Sequence, residues 1–406
     1  MIFRKQKVEV NSSLNKLAWE RFKQNKLSLS GLLFILLALL IGILGYLITP
    51  DKSTFANTQI LEISTKSPGF KCQILKVQKN ELLEKTGVLK KMILGRKNEY
   101  TYIPINGYYF ENEILVIEEF NEIKEEEAFY LEINPIEIIA KLKYGESIIY
   151  DSKKFLFTDI EDVKREMSLN QVKKEIEANH IVTKKYILGT DRFGRDLLSR
   201  LLIGTRVSLS VGFISVFISL IVGITLGSIA GFFKGRIDDL IMWLINVIWS
   251  IPTLLMVIAI TLVIGRGFWQ IFIAVGLTMW VEVARVVRGQ VLSVREKEYI
   301  EAARALGYSN GRIIFKHILP NIMTPVIIIS AANFATAILL EAGLSFLGIG
   351  VQPPVPSWGT MIKEHYGYII MDKAYLAILP GIAIMLMVLA FTLVGNGLRD
   401  ALDTKS

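Results

Sequence analysis

Side chains that could do chemistry are few in this sequence, and they are scattered. His180, His317 and His365 lie far apart, and Cys72 is the single cysteine. A zinc site or a redox pair needs several such residues at short, defined spacing, which this sequence lacks. A G-x-x-x-x-G-K-[ST] loop, which would hold the phosphates of ATP, is also absent from the sequence. We therefore predict a protein without catalytic residues, without a metal site and without a cofactor bound by this chain.

The most informative polar stretch is a basic loop between two long apolar segments. Glu298–Leu306 is rich in helix-forming residues, and Gly307 follows where a helix end favours a positive φ. A second helix is predicted over Asn310–Ile318, and Pro320 is expected to break it before the next apolar segment. Such a helix–turn–helix suits the groove of a partner, with Glu301 available for a charged contact. By spacing alone, a hairpin that only anchors the protein at the membrane surface is an equal alternative.

The composition indicates a membrane bundle joined to a soluble domain. The 406 residues are 52% hydrophobic and 21% charged, a mixture that fits neither an ordinary soluble protein nor a purely membrane-embedded one. The net charge of +8 is uneven, because residues 51–188 contain 21 Lys and Arg against 23 Asp and Glu. The positive excess therefore lies beside the apolar runs, where it fits membrane topology better than nucleic-acid binding.

Six apolar runs are interpreted as membrane spans, since about 20 residues cross ~30 Å of hydrocarbon. They are Leu27–Thr49, Val207–Phe233, Leu240–Ile264, Phe268–Val283, Ile322–Gly350 and Tyr375–Leu398. The first run is too long for the apolar core of a cleavable signal peptide. The basic tail of residues 1–26 and the basic loop of residues 293–321 carry much of the positive charge. The positive-inside rule places both of them, and the C-terminus, in the cytoplasm.

Residues 50–188, between the first two spans, are then predicted to fold outside the cytoplasm. Six runs have the composition or alternation of strands: Ile60–Ser64, Cys72–Val77, Tyr100–Ile105, Ile114–Ile117, Ile136–Leu142 and Phe155–Phe157. Asp159–Ala178 is interpreted as a charged helix that leads back to the membrane. The segment is long enough for one domain, so we predict an α+β, β-rich fold.

Three polar residues in the apolar runs are candidates for lining a path through the membrane. Glu341 must face a cavity, a partner or the interface, because an unpaired charge in hydrocarbon is costly. Its location at the end of a span is an equal alternative. Asn246 and Ser250 are spaced i, i+4 beside the helix-breaking Pro252 and could also face the path. An ordinary interhelical hydrogen bond is the favoured alternative for them.

Several segments together resemble the permease subunits of ABC importers. Glu301-Ala302-Ala303, Gly307 and the closing Leu319-Pro320 are similar to the EAA loop, by which a permease docks on its ATPase. His317 stands where the general pattern has an aliphatic residue, as in the dipeptide, oligopeptide and nickel branch, so we interpret it as a packing residue of the loop. Further matches to the C-type permease of that branch are Ala18–Leu27, Leu188–Asp196, Ser199-Arg200, Gly204–Arg206, Ser250–Pro252, Ala284–Arg288 and Leu344–Gly348.

The stretch before the second span, here called the outer-face signature, combines glycines with charges of both signs. Its members are Gly189, Asp191, Gly194, Arg195, Asp196 and Arg206. Internal pairing that fixes the entry of the span is the favoured role, and direct contact with a binding protein or substrate is the alternative. The resemblance covers residues 12–50 and 188–400. The usual family member has only a short connection where this chain has residues 51–188.

The resemblance implies an α-helical polytopic membrane protein with six transmembrane helices, the ABC-importer permease fold and an unusual inserted domain. The implied division is a cytoplasmic tail (1–26), a first transmembrane helix (27–49), an extracytoplasmic insert (50–188) and a permease domain with five helices (189–406). The coupling loop is residues 293–321.

The implied function is to form half of the pore of an ATP-driven importer for di- or oligopeptides in the bacterial inner membrane. The implied partners are a second homologous permease, two ABC ATPase subunits that use ATP and magnesium, an extracytoplasmic substrate-binding protein and membrane lipid, with no nucleic acid. One alternative is import of nickel or another solute. The other is a non-transporting mechanotransmission subunit of an ATPase complex, a class that usually has four spans and lacks this loop.

Overall fold

The chain forms two compact units in the computed structural model, which describes residues 14–82, 87–121, 128–265 and 267–402. The membrane unit comprises Met1–Gly42, Thr205–Lys363 and Ile378–Ser406. The insert unit comprises Ile43–Gly204 and Glu364–Ala377. The insert unit is larger than the predicted domain, because most of the outer-face signature and a later segment fold with it.

The helices of the described residues are of two kinds, long apolar helices and short helices in the connections. In chain order they are α1 (Leu14–Gln24), α2 (Lys26–Leu44), α3 (Val88–Leu94), α4 (Pro135–Ile139), α5 (Leu169–Glu175), α6 (Leu197–Phe233), α7 (Gly235–Trp249), α8 (Thr253–Ile264), α9 (Phe268–Val294), α10 (Glu298–Ala305), α11 (Asn310–Ile313), α12 (Leu319–Phe346), α13 (Trp358–His365) and α14 (Tyr375–Leu402). Five helical stretches of the described chain are long and apolar enough to cross a membrane: Lys26–Leu47, Leu197–Phe233, Phe268–Val294, Asn310–Phe346 and Tyr375–Leu402.

The third predicted span is a bent pair rather than one straight helix. α7 and α8 meet at an angle of 93° across the break before Thr253, so the described residues give five spans, or six if the pair counts as one. Pro252 has no amide hydrogen and cannot continue the hydrogen-bonding ladder of α7. The Ser250 amide donates back to the carbonyl oxygen of Asn246 at 3.0 Å, which closes the last turn of α7.

The break predicted at Pro320 is wrong. The helical stretch Asn310–Phe346 is continuous, with a π-helical turn over Ile314–Ile318. Leu319 follows that turn directly, and Pro320 stands in the first turn of α12. A local π-helical adjustment of this kind lets a membrane helix accommodate a proline within its length.

α6 and α9 approach each other through a ladder of glycines in the membrane unit. Gly223, Gly227 and Gly231 are spaced by four residues on one face of α6. A Cβ atom at Gly227 would lie 2.5 Å from the carbonyl oxygen of Ala284, and one at Gly231 would lie 2.8 Å from that of Arg288. Small residues at this spacing allow close backbone approach between membrane helices.

The described residues of the insert unit form two antiparallel sheets. The strands are β1 (Lys71–Gln78), β2 (Tyr100–Glu111), β3 (Ile114–Glu119), β4 (Tyr130–Ile133), β5 (Ile149–Asp151), β6 (Lys154–Thr158), β7 (Lys164–Ser168) and β8 (Ile181–Lys185). The larger sheet has the order β4-β3-β2-β1-β8 and the smaller one β5-β6-β7. Lys71 lies opposite Lys185, so the first and last strands of the insert pair side by side. The buried core includes Leu75, Ile117 and Phe155.

Three predicted elements of the insert differ from the structure. Ile60–Ser64 contains a 3-10 turn over Leu61–Ile63 rather than a strand. Ile136–Leu142 begins as helix α4, because the Asn134 side chain accepts a hydrogen bond from the Ile136 amide and Pro135 occupies the first turn. Asp159–Ala178 is not one helix, since β7 precedes α5, whose start is fixed by a capping box of Ser168 and Gln171.

Candidate functional site

The coupling loop rests on the end of α9 through a row of buried apolar side chains. Ile300 and Ala303 of α10, together with Ile313 and Ile318, join a buried cluster that includes Val291 of α9. One face of each short helix is therefore anchored to a membrane-spanning helix. Any partner that binds the opposite face of the loop is mechanically connected to α9.

Gly307 makes the turn between α10 and α11. Its φ is +75°, a conformation that costs an L-residue about 1–2 kcal/mol. The Gly307 amide donates to the Arg304 carbonyl oxygen at 2.9 Å, and the Tyr308 amide donates to that of Ala303 at 3.1 Å. The Ser309 side chain then accepts a hydrogen bond from the Arg312 amide and begins α11. The observed φ of Gly307 has the positive sign that the sequence led us to expect.

The loop exposes apolar side chains on the face away from α9. Leu306 and Phe315 are each 72% exposed, and Tyr299 is 42% exposed. Together with the exposed Glu301 and Ala302 they form what we call the coupling surface. Exposing apolar side chains to water is unfavourable, and burying them against a partner lowers the free energy.

The remaining predicted loop residues, His317, Leu319 and Pro320, differ in how far they are buried. His317 is half-buried and its ring stacks on that of Tyr308, with centroids 5.8 Å apart and planes at 22°. Leu319 is half-buried and Pro320 is exposed. The stacking is consistent with the interpretation of His317 as a packing residue.

The glycines of the outer-face signature allow two close backbone approaches within the insert unit. Gly189 and Gly194 have φ of +79° and +69°. A Cβ atom at Gly189 would lie 2.2 Å from the Lys66 carbonyl oxygen, and one at Gly194 would lie 1.6 Å from that of Ile60. Both positions therefore exclude any side chain.

Two charges of the signature, Asp191 and Arg195, form a buried network with Arg200 and Glu364. Arg195 Nε lies 2.5 Å from Asp191 Oδ2, and Arg195 Nη2 lies 2.8 Å from Glu364 Oε2. Arg200 Nε lies 3.6 Å from the same Asp191 oxygen. None of these four side chains is more than 8% exposed. These buried charges pair with one another. This pairing favours the predicted role of the signature in fixing the start of α6 over contact with a partner.

The remaining charged residues of the signature, Asp196 and Arg206, form hydrogen bonds with backbone groups. Asp196 Oδ1 accepts the Ser199 amide at 2.7 Å at the start of α6, and burial raises the pKa of the Asp196 carboxyl while the hydrogen bonds with Ser199 oppose that shift. Within the membrane unit, Arg206 Nε donates to the Gly42 carbonyl oxygen at 2.8 Å.

One group of side chains in this network has the spacing of a cation site. Ligand atoms of Asp191, Glu364 and His365 lie within 4.8 Å of one another. The two carboxylates already neutralise Arg195 and Arg200, so a metal ion would have to compete with two fixed guanidinium groups.

A polar surface lies at the bend between α7 and α8, against the middle of α9. Arg285 Nη2 donates to Asn246 Oδ1 at 3.2 Å, and its guanidinium lies 3.6 Å from the centroid of the Trp249 ring. Glu282 is exposed one turn before Arg285, and it lines a small cavity with Trp249 and Thr253. Ser250 is exposed beside Trp249 and donates to the Val247 carbonyl oxygen at 2.7 Å.

From the sequence, Asn246 and Ser250 are candidates for the path, with an ordinary interhelical hydrogen bond as the favoured alternative. Trp249, Glu282 and Arg285 have no predicted role in the path. The available signal was two opposite charges three residues apart inside a long apolar helix. Only the structure shows that these residues share one surface. We call Asn246, Trp249, Glu282 and Arg285 the polar surface of the membrane unit.

Glu341 lies in a closed environment rather than on that surface. Its side chain is fully buried in α12, and Oε1 accepts a hydrogen bond from Ser345 Oγ at 2.7 Å. Ser345 Oγ is in turn 3.4 Å from Ser357 Oγ. Among the described residues Oε2 has no hydrogen-bond partner. A role for Glu341 in the path, one of two equal alternatives from the sequence, would require this cluster to open.

Two family models match the chain. The model described as binding-protein-dependent transport system inner membrane component matches residues 223–406. The model described as N-terminal TM domain of oligopeptide transport permease C matches residues 13–67. Neither match includes residues 68–222, which contain both sheets of the insert unit.

Individual relatives match about half of this chain and more than two thirds of their own length. The dipeptide transport system permease protein DppC of Alkalihalophilus pseudofirmus is 45% identical over 217 residues, which are 53% of this chain and 71% of that relative. The glutathione transport system permease protein GsiD of Pectobacterium atrosepticum is 41% identical over 218 residues, 54% of this chain and 72% of that relative. A solved structure of the MetNI methionine ABC transporter aligns with 50% of this chain and 97% of its own, at 20% identity and a TM-score of 0.43.

The chain therefore belongs to the family of binding-protein-dependent transport system inner membrane components, the permease subunits of ABC importers. Within that family it is a permease of the C type, with the N-terminal segment of the oligopeptide transport permeases. As a membrane component, it is not the subunit that hydrolyses ATP.

Proposed function

We propose that this chain forms half of the translocation pore of an ATP-driven importer of di- or oligopeptides. Relatives are named for the transport of dipeptides and of glutathione, which is a tripeptide. Such substrates share peptide amides and carry both an ammonium and a carboxylate group. A surface with one acid and one cation suits a zwitterion better than a bare nickel ion, which Arg285 would repel.

The position of Glu282 supports a path at the polar surface. It lies near the middle of the 27-residue helix α9 with its side chain exposed. A carboxylate facing hydrocarbon would cost about 2.5–3.5 kcal/mol or more, so this surface must face water or a protein partner. A path between this chain and a second homologous permease meets both conditions. In that path Glu282 would bind the substrate ammonium, and Arg285 would bind the carboxylate.

The coupling surface carries the proposal of an ATP-driven mechanism. Exposed Leu306 directly follows α10, and exposed Phe315 lies in the π-helical turn after α11. Buried side chains of α10, α11 and this turn pack in one cluster with Val291 of α9. Movement of an ATPase bound to Leu306 and Phe315 would be passed to α9 and to the polar surface on the same helix. The chain supplies no phosphate-binding loop of its own, so two partner ATPase subunits would use the ATP and magnesium.

The basic segments support one orientation in the bacterial inner membrane. With the coupling loop in the cytoplasm and the α7–α8 pair counted as one span, both termini also lie there and the insert faces outward. An extracytoplasmic binding protein would then deliver the substrate to the outer side. The five or six candidate spans of the described residues and the coupling loop argue against a four-span mechanotransmission subunit.

The test is association with the partner ATPases after the coupling surface is made polar. Leu306→Glu and Phe315→Glu, introduced together into the assembled importer, are expected to lower the amount of co-purifying ATPase about tenfold or more, since two buried apolar contacts are replaced by charges. Phe129→Glu is the matched control, because Phe129 is 67% exposed and lies in the insert unit. Equal ATPase recovery with the double variant and the control would contradict the proposal.

A further inference from the structure

We infer that α3 of the insert unit is a membrane-surface helix, with its apolar face in the lipid headgroup region beside the end of the first span. The inference does not depend on the substrate or on the side of the membrane that the insert occupies. It assigns an interaction to a part of the chain that lies outside both family matches.

The side chains of α3 are the wrong ones for a helix surrounded by water. Val88, Leu89, Ile93 and Leu94 are 70%, 72%, 56% and 55% exposed, and no residue of α3 is buried. Val88, Leu89, Met92 and Ile93 follow i, i+1, i+4, i+5 spacing, so they share one face of the helix. A seven-residue helix has little stability of its own in water, so an exposed apolar face of this kind needs a surface to lie on.

The position of α3 identifies that surface as lipid. α3 packs against the 3-10 turn Gly45–Leu47, which ends the first membrane span. Its C-terminal end is fixed by backbone hydrogen bonds to the segment that leaves the span: the Thr54 amide donates to the Arg96 carbonyl oxygen at 3.2 Å, and the Arg96 amide to that of Lys52 at 3.0 Å. Leu47 and Ile48 are 45% and 43% exposed at the same place. The apolar surface of α3 therefore continues the exposed apolar surface of Leu47 and Ile48 at the end of the span.

The charges around α3 match the lipid headgroups. Lys90 and Lys91 lie outside the apolar face of the helix, and both are exposed. Arg96 and Lys97 follow directly and are exposed as well. Long cationic side chains can leave their stems in the apolar layer while their charged ends reach phosphate groups. The covalent connection to the span keeps this short helix at the membrane, so weak lipid binding is enough.

Site-directed spin labelling tests the inference on the full-length chain in nanodiscs of phosphatidylcholine and phosphatidylglycerol. Single labels are placed by Leu89→Cys and, as a second site, Ile93→Cys. Tyr144→Cys is the aqueous control because Tyr144 is fully exposed, and Leu40→Cys in α2 is the lipid control. The native Cys72 is buried, and burial raises its pKa to about 11, so it reacts slowly with the label at neutral pH.

The measured quantities are the collision rates of each label with oxygen, which concentrates in lipid, and with a water-soluble nickel chelate. Labels at Leu89 and Ile93 are expected to collide with oxygen as readily as the Leu40 label does. Their collision with nickel should be about tenfold below that of the Tyr144 label, as for an interfacial helix. Nickel collision at the Tyr144 level would overturn the inference. Protection from both reagents would overturn it too, since that result means a protein cover.

Discussion

In the proposed function, individual side chains of the polar surface bind the charged groups of the substrate. Arg285 is already held in place by Asn246 and Trp249, whereas the Glu282 carboxylate is exposed and open to a ligand. A guanidinium fixed by stacking and one hydrogen bond keeps further donors free for a carboxylate. The two residues therefore differ in how much they must reorganise on binding.

We predict that Glu282→Gln and Arg285→Gln each lower uptake of a zwitterionic dipeptide about tenfold, which corresponds to about 1.4 kcal/mol of lost interaction. Uptake by proteoliposomes containing the complete importer measures the effect. Lys234→Gln is the control, because Lys234 pairs with Glu296 at an exposed site where an ion pair contributes little. Unchanged uptake with both polar-surface variants would remove these residues from the path.

At the scale of elements, the conformation of one turn decides whether the coupling loop keeps its shape. Gly307 and Gly311 stand four residues apart. Among the described residues, a Cβ built at either one meets no atom within 4 Å beyond its chain neighbours and the backbone of its own helix. They differ in backbone conformation, since Gly307 has a φ of +75° and Gly311 is within α11. This difference separates the effect of backbone strain from that of crowding.

We expect Gly307→Ala to destabilise the turn by about 1–2 kcal/mol and to weaken ATPase association several-fold. Gly311→Ala should leave association unchanged or slightly improved, because alanine favours a helix over glycine by about 0.5–1 kcal/mol. Co-purification of the ATPase with each variant is the measurement. Equal loss in both variants would point to sensitivity of the whole loop rather than to the turn.

How far the elements could be predicted from the sequence varied with the kind of signal. Alternating apolar residues in β1 and a glycine after α10 are local signals, and both gave the right element. Asn134 and Pro135 are local signals too, but the apolar run after them reads equally well as a strand until the cap is recognised. The polar surface joins α7 with α9, and such a meeting of distant segments depends on packing that no local pattern contains.

At the scale of the whole molecule, the distribution of charge predicts the coupling loop and the insert on opposite sides of the membrane. Leu306→Cys and Tyr144→Cys place single accessible thiols on these two parts, and the buried Cys72 adds little background. A membrane-impermeant maleimide should label the Tyr144 variant in intact cells. The Leu306 variant should be labelled only after permeabilisation. Labelling of both variants in intact cells, or the reverse pattern, would refute the predicted topology.

The glycine ladder between α6 and α9 has a consequence for how force travels through the membrane unit. With backbones this close, a Cβ atom at Gly223 would already lie 2.5 Å from that of Val283, so the two helices have no clearance to slide past each other. α9 is 27 residues long, roughly 40 Å at 1.5 Å per residue, and the coupling loop begins where it ends. A small tilt imposed at the loop would move α6 and α9 together as one rigid body. The displacement would be largest at the end of α9 that is farthest from the loop.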